Sequence, residues 1–247
     1  MSSVHSRLSL YSSSPNRFDH FYIYDNSDNF LLRQWGEEKG CHVRVIHYPG
    51  EAQQQTAYHH CSVLALQEQH TWAAMFDVDE ILILKQHHDI HPFLEEYCPN
   101  GALGINWLVF GTADRLVYSP QPFTKRFQFR KRKPDPWVKS ITRLKDIDLS
   151  KGKIRIHYPP LLPGFSQHDT NGRNFTGPTN AVALIDVAIS HHYRYKLHQK
   201  FVRNSLKSIA DFSRGSPRVQ QQIVEDAKPG QVPYRQRNGT ILPGVPK

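Results

Sequence analysis

Apolar positions along this chain gather into short runs separated by polar loops, with helical spacing between several of them. His20-Phe-Tyr-Ile-Tyr24 is aromatic and β-branched and stops at a cluster of Asp and Asn residues (25–29), which predicts a strand entering a loop. Phe30 to Lys39 has a helical pattern ending at Gly40, and His42 to His47 reads as a second strand closed by Tyr48-Pro-Gly50. Apolar positions at Ala57, Cys61, Leu64 and Ala65 predict a long helix within Glu51–His70. Trp72-Ala-Ala-Met-Phe76 is wholly apolar, as in a strand buried on both faces. Strand, helix, strand, helix, strand in this order predicts an α/β fold whose mostly parallel central sheet is flanked by helices. Such sheets bind ligands at the carboxyl ends of their strands.

Beyond Phe93 the pattern changes. Gly101 to Phe110 predicts another strand, Phe123 to Phe129 alternates like a strand of a smaller antiparallel region, and Ala181 to Ile189 is a further buried run. A helix is expected over Lys196 to Phe212. The organisation expected is a flexible leader (1–17), one catalytic-sized domain (18–215) and an extended tail (216–247) rich in Pro, Gly and Gln.

Composition narrows the class. In 247 residues, 38% are hydrophobic and 11% aromatic, enough for one buried core. No stretch approaches the roughly 20 apolar residues that span a bilayer. The chain as given therefore reads as soluble and cytoplasmic, with a Golgi-lumen location requiring an N-terminal anchor and any membrane association encoded elsewhere. Cys41, Cys61 and Cys98 are too few and too widely spaced for a disulfide framework or a CxxC site, and read as buried small hydrophobes. A net charge of +9 suits anionic partners without choosing among them. The run Arg130-Lys-Arg-Lys133 is either a solvated face or a contact for diphosphate or a polyanionic acceptor.

The chemistry concentrates in Met75-Phe-Asp77-Val-Asp79-Glu80-Ile-Leu82, three carboxylates directly after a buried apolar run. Carboxylates gathered at the mouth of a covered sheet repel one another and lose hydration unless a cation joins them. In an extended segment residues i and i+2 point the same way, so Asp77 and Asp79 are expected to converge and Glu80 to point elsewhere. Hard oxygen ligands of this kind suit Mg²⁺ or Mn²⁺. An isolated DxD also occurs in solvated turns.

The blocks Phe21-Tyr-Ile-Tyr-Asp-Asn26, Tyr48-Pro-Gly50, Tyr58-His-His-Cys61 and Phe76-Asp-Val-Asp-Glu80 resemble glycosyltransferase family 92 and its family-2-like relatives. The likeness continues, in the family's order, through Trp107-Leu-Val-Phe-Gly111, Val138-Lys-Ser-Ile141 and His192-Tyr-Arg-Tyr-Lys196. It implies a GT-A fold, a UDP-sugar donor, a divalent metal, inversion at the anomeric carbon and a glycan or glycoprotein acceptor. Asp77 and Asp79 match the family DxD, with Asp77 reaching either the metal or the donor ribose. His192 matches its late histidine, either a third metal ligand or a side chain packed beneath a loop. Lys139, in a family block, is expected to reach the donor phosphates.

Tyr24, Asp25 and Asn26 end the first strand at the same sheet edge, where Asp25 either holds a ribose or uracil group or forms a turn. Gln54, Gln55 and Tyr58, near the start of the long helix, touch donor phosphate or sugar, or are polar surface; His157 is placed with similar ambiguity. An inverting transfer needs a base for the acceptor hydroxyl. The candidates are Asp114, in a polar loop downstream of the metal motif, and Asp169 in His168-Asp-Thr-Asn-Gly172, each of which also reads as an ordinary loop or turn residue. Two rival classes share features with this pattern. Haloacid-dehalogenase-like phosphatases use a DxD after a buried strand, but on the first strand; a basic nucleic-acid module would fit the charge, but no zinc-finger spacing or RNA-recognition motif is present, so no nucleic-acid partner is expected.

Overall fold

Residues 18–111, 121–193 and 232–233 are described by the computed structural model of the chain. Asp114, the helix expected over 196–212 and nearly all of the tail lie outside these residues. β1 (Phe21–Asp25) and β2 (Val43–His47) pair in parallel, Phe21 against Val43. The crossover between them carries α1 (Arg33–Glu37). Asp25 ends β1 because its carboxylate accepts the backbone N–H groups of Ser27 (3.0 Å) and Leu32 (2.9 Å), turning the chain into α1. Gly36 lets α1 lie on β2: a Cβ there would stand 2.4 Å from the Val45 Cγ2.

A second, larger sheet has the order β3-β7-β5-β10-β4. Its members are β3 (Trp72–Ala74), β4 (Glu80–Leu84), β5 (Ala102–Val109), β7 (Asp135–Arg143) and β10 (Ala188–His192). β7 covers one edge of β5, while β8 (Gln167–His168) and β10 share the other, β8 at its start and β10 at its end. β8 also pairs with β9 (Asn174–Phe175). The chain is thus α/β, but the larger sheet is mixed. Only β5–β10 and β5–β8 run parallel there, against four antiparallel pairings. Among the described strands the expected parallel order extends no further than β1–β2 and the pairings of β5 with β8 and β10, because β4 goes to the edge opposite β3, antiparallel to β10, and the chain returns antiparallel from β5 to β7.

All eight residues of β5 are buried, as the near-continuous apolar run predicts. Its one amide, Asn106, donates to the Asp135 and Pro136 carbonyls, both at 3.2 Å, where the β5–β7 register shifts between Asn106 and Trp107. This bulge re-aims Trp107 at the end of the strand. One face of the sheet is covered by α3 (Ile90–Tyr97), whose Ile90, Phe93 and Leu94 pack with Leu82, Leu103, Ile105 and Ile141. Asp89 caps α3 by accepting from the His91 N–H at 2.9 Å. A separate cluster joins Leu108, Phe110, Phe127, Ile189 and Tyr193. The helix α2 (Gln54–Gln67) contributes Ala65 to a third, with Leu144, Ile147 and Ile154.

Three local expectations change. Phe123 to Phe129 is not a strand: α4 (Phe123–Arg126) starts behind Pro122, whose carbonyl accepts from Lys125 and Arg126, and only β6 (Phe129–Arg130) is extended. Of residues 181–189, only the last two enter β10. Cys41 is exposed, Cys61 half-buried and Cys98 buried, so the three cysteines do not share one environment. In the tail, β11 (Val232–Pro233) pairs antiparallel with β6. Among the described residues no helix is long and apolar enough to cross a membrane.

Candidate active site

The acidic motif is a turn, not an extended segment. After β3 the Glu80 N–H donates to the Asp77 carbonyl at 3.0 Å, closing a four-residue turn, and β4 begins at Glu80 opposite His192 of β10. Strand alternation therefore stops at Asp77. Asp77 and Asp79 bond to different partners, and Glu80, expected to point elsewhere, folds back beneath the turn. Its Oε2 accepts the Asp77 N–H at 3.1 Å, and its side chain has no exposed surface.

Lys139 enters from β7, fully buried, and donates to Asp77 Oδ2 at 3.0 Å; its Nζ lies 3.6 Å from Glu80 Oε2. The other Asp77 oxygen accepts from Gln54 Nε2 at 2.8 Å and from the Tyr58 hydroxyl at 3.4 Å. Burial works against ionisation of Asp77, but the Lys139 ammonium, by charge and hydrogen bond, more than offsets it and holds that carboxyl below its usual range. Burial pushes Glu80 well above its usual range despite Lys139. Lys139, depressed by burial, is raised overall by Glu80 and Asp77. The unit is an ammonium–carboxylate pair with Glu80, its carboxyl pushed up by burial, packed beneath it. Lys139, which the resemblance implies at the donor phosphates, places its ammonium on Asp77.

Asp79 lies against β10. Its Oδ1 is 4.0 Å from His192 Nε2, its carbonyl accepts the Tyr193 N–H at 2.8 Å, and His192 Nδ1 is 4.0 Å from Glu80 Oε1. Among the described residues no three His, Cys, Asp or Glu side chains converge as a metal cage. Asp79 and His192 nevertheless form a two-donor set of carboxylate and imidazole, a combination that fits Mn²⁺ or Mg²⁺ sharing its remaining positions with phosphate oxygens.

On the opposite flank of the turn, a cavity of about 680 Å³ lies between the facing edges of β1 and β3, with α2 as one wall. Tyr24, Asn26, Gln54, Tyr58 and Asp77 line it, so five of the residues expected at the donor meet in one space. Tyr24 is steadied by a 2.7 Å hydrogen bond between its hydroxyl and His60 Nδ1. Asp25 is absent from the lining. It is buried and occupied by its own loop, which decides for the turn-forming alternative.

Asp169 is not placed as a base. It is 2% exposed, and its carboxylate accepts from Asn171 N, Arg173 N, Arg173 Nε and Asn180 Nδ2. Those bonds close the β8–β9 hairpin and leave no approach for an acceptor hydroxyl. Asp114 lies outside the described residues.

Sequence reasoning missed an aromatic group on the β5–β7 side of the turn. Trp107 stacks near Trp137 (6.2 Å between ring centroids, 18°), meets His157 edge-on at 5.2 Å and lies 4.3 Å from His192. His157 donates from Nδ1 to the Val138 carbonyl at 2.9 Å, which fixes its tautomer. Trp107 stood inside a recognised block, but only the sheet brings Trp137 and His157 to it. The basic run is mostly surface: Arg132 and Lys133 are exposed, and Arg130 donates to the Lys131 and Arg132 carbonyls.

Among curated proteins, none matches the chain closely enough to add to this picture. The sequence profile of glycosyltransferase family 92 matches residues 18–227, spanning the cavity, the acidic turn and the aromatic group, and the protein belongs to that family of glycosyltransferases.

Proposed function

We propose that the protein is an inverting, metal-dependent glycosyltransferase of the GT-A type, transferring a sugar from a UDP-sugar to a hydroxyl of a glycan. The observation that carries this reading is the position of the acidic turn. On one side it closes a cavity lined by Tyr24, Asn26, Gln54 and Tyr58; on the other it presents Asp79 to His192 at 4.0 Å.

Each residue then has a task. Tyr24 and Asn26 border the space for the nucleoside. Gln54 and Tyr58 orient Asp77, and Lys139 keeps it ionised next to that space. Asp79 and His192 would hold Mn²⁺ or Mg²⁺, which supplies charge neutralisation on the departing diphosphate. Asp114 is the proposed base for the acceptor hydroxyl. The GT-A assignment rests on the family and on the parallel β1–α1–β2 unit.

The test is a thermal-shift and calorimetric titration of UDP and a panel of UDP-sugars, with and without Mn²⁺. Binding that requires Mn²⁺ and disappears in Asp79→Ala, with an unchanged melting temperature for the unliganded variant, is the expected result. Equal UDP affinity with and without Mn²⁺, or in the variant, refutes the assignment of Asp79.

A further inference from the structure

Trp137 is an unusual residue to leave in water. It is 40% exposed, although an indole is among the largest apolar surfaces a chain can bury. It is also held firmly. Its backbone N–H donates to Asp135 Oδ1 at 3.1 Å, its backbone bridges to Thr179, and His157 packs edge-on against its ring at 4.7 Å. Trp107 lies behind it in a near-parallel stack. A rigid aromatic ring supported on one side and open on the other is prepared for a flat apolar ligand surface.

Trp107 adds a second observation. It is 7% exposed, and its indole N–H has no acceptor among the described residues. Buried donors are rarely left so, because an unmade hydrogen bond costs the full desolvation of the group. The open ring of Trp137, with the polar Trp107 and His157 rings packed against it, is complementary to a pyranose. One face of such a sugar presents C–H groups that meet the negative face of an aromatic ring, while its hydroxyls accept hydrogen bonds.

The position is also specific. Trp107 touches His192, and His192 reaches Asp79. Trp137 stands two residues before Lys139 on β7, on the same strand face, and Lys139 holds Asp77. None of Trp107, Trp137 and His157 lines the cavity assigned to the donor. The platform and the cavity are separate features that meet at the acidic turn, as two substrates of one transfer must.

We propose that Trp137 is the stacking platform for a pyranose ring of the acceptor glycan, held in place from behind by Trp107 and His157. This rests on the glycosyltransferase reading above and extends it to the second substrate.

The test uses lactose, cellobiose and chitobiose as probes, followed by saturation-transfer NMR and by tryptophan fluorescence on the full chain. At least one is expected to bind the wild type. Trp137→Ala should lose that binding at least ten-fold while Mn²⁺-dependent UDP binding and the melting temperature stay unchanged; Trp137→Phe, which keeps a ring, should retain most of it. Asp79→Ala should lose UDP and keep the disaccharide. No disaccharide binding to the wild type, or equal binding to Trp137→Ala, overturns the platform. Disaccharide binding through Trp137 in a protein that does not bind UDP supports the platform and removes the donor assignment alone.

Discussion

Replacing Lys139 by Met takes one positive charge out of the most buried part of the site while keeping an unbranched side chain in the same space. At an effective dielectric of about 20, the attraction across the 3.0 Å gap to Asp77 is about 5.5 kcal/mol, and across the 3.6 Å gap to Glu80 about 4.6 kcal/mol if that group were ionised. Three effects reduce the net loss. Burial favours the neutral form of Glu80, which reduces its share; the Asp77 side chain is 35% exposed and partly screened by water; and the variant no longer has to dehydrate an ammonium. A destabilisation of about 3 kcal/mol at pH 8 is expected, at the lower end of what breaking a buried pair costs. The pH dependence carries the argument. In the wild type the Asp77 carboxyl titrates below its unfolded value of 3.8, so its contribution is present above that pH and is lost as pH falls through the folded value. In the variant the largest stabilising charge is gone and burial is opposed by His192, His157 and the Gln54 and Tyr58 donors, so Asp77 titrates higher than in the wild type and contributes less stability as pH rises. The gap between the two proteins should therefore widen from pH 4.5 to pH 8. Urea unfolding followed by far-ultraviolet circular dichroism measures it at both ends. A gap under 1 kcal/mol at pH 8, or one that does not change with pH, refutes the assignment of Lys139 as the partner that keeps Asp77 charged.

Three other outcomes are expected. Chelation should abolish sugar transfer and added Mn²⁺ or Mg²⁺ restore it; full turnover in EDTA would contradict the role of Asp79 and His192. Burial, reinforced by Lys85 and Arg130, pushes His191 down to about 3 from 6.5. The unfolded chain thus takes up a proton below pH 6.5 that the fold refuses, and stability should fall by about 1.4 kcal/mol per pH unit between 6.5 and 3. Denaturant titrations at pH 7 and pH 5 should show His191→Phe removing about 2 kcal/mol of that slope, and an unchanged slope would rule out the effect. At Gly101, φ is +62° and a Cβ would stand 2.3 Å from the Ser166 carbonyl oxygen, so Gly101→Ala should cost about 3 kcal/mol in a urea melt; a loss under 1 kcal/mol would contradict the close approach of β5 to this backbone.

Local patterns carried much of this protein. Aromatic and β-branched residues from 21 to 24 form β1, the apolar run from 102 to 109 forms β5, and the apolar spacing of Ala57, Cys61, Leu64 and Ala65 falls in α2, because each preference acts within a few residues. The ordered family blocks carried the assignment to glycosyltransferase family 92. Five residues read as donor contacts do line one cavity.

What the sequence by itself determined was therefore which segments are extended or helical and which side chains carry charge near the turn. Where those side chains point was decided by tertiary structure. A turn at residues 77–80 ended the alternation that would have aligned Asp77 with Asp79, and Lys139, 62 positions further along the chain, supplied the charge that directs Asp77. Asp169 was claimed by its own hairpin, and Trp107, Trp137, His157 and His192 met only because β5, β7 and β10 share a sheet. Strand pairing and burial depend on residues far apart in sequence. Whether a carboxylate stays charged depends on that burial and on which distant ammonium reaches it, and no pattern of neighbours encodes either one.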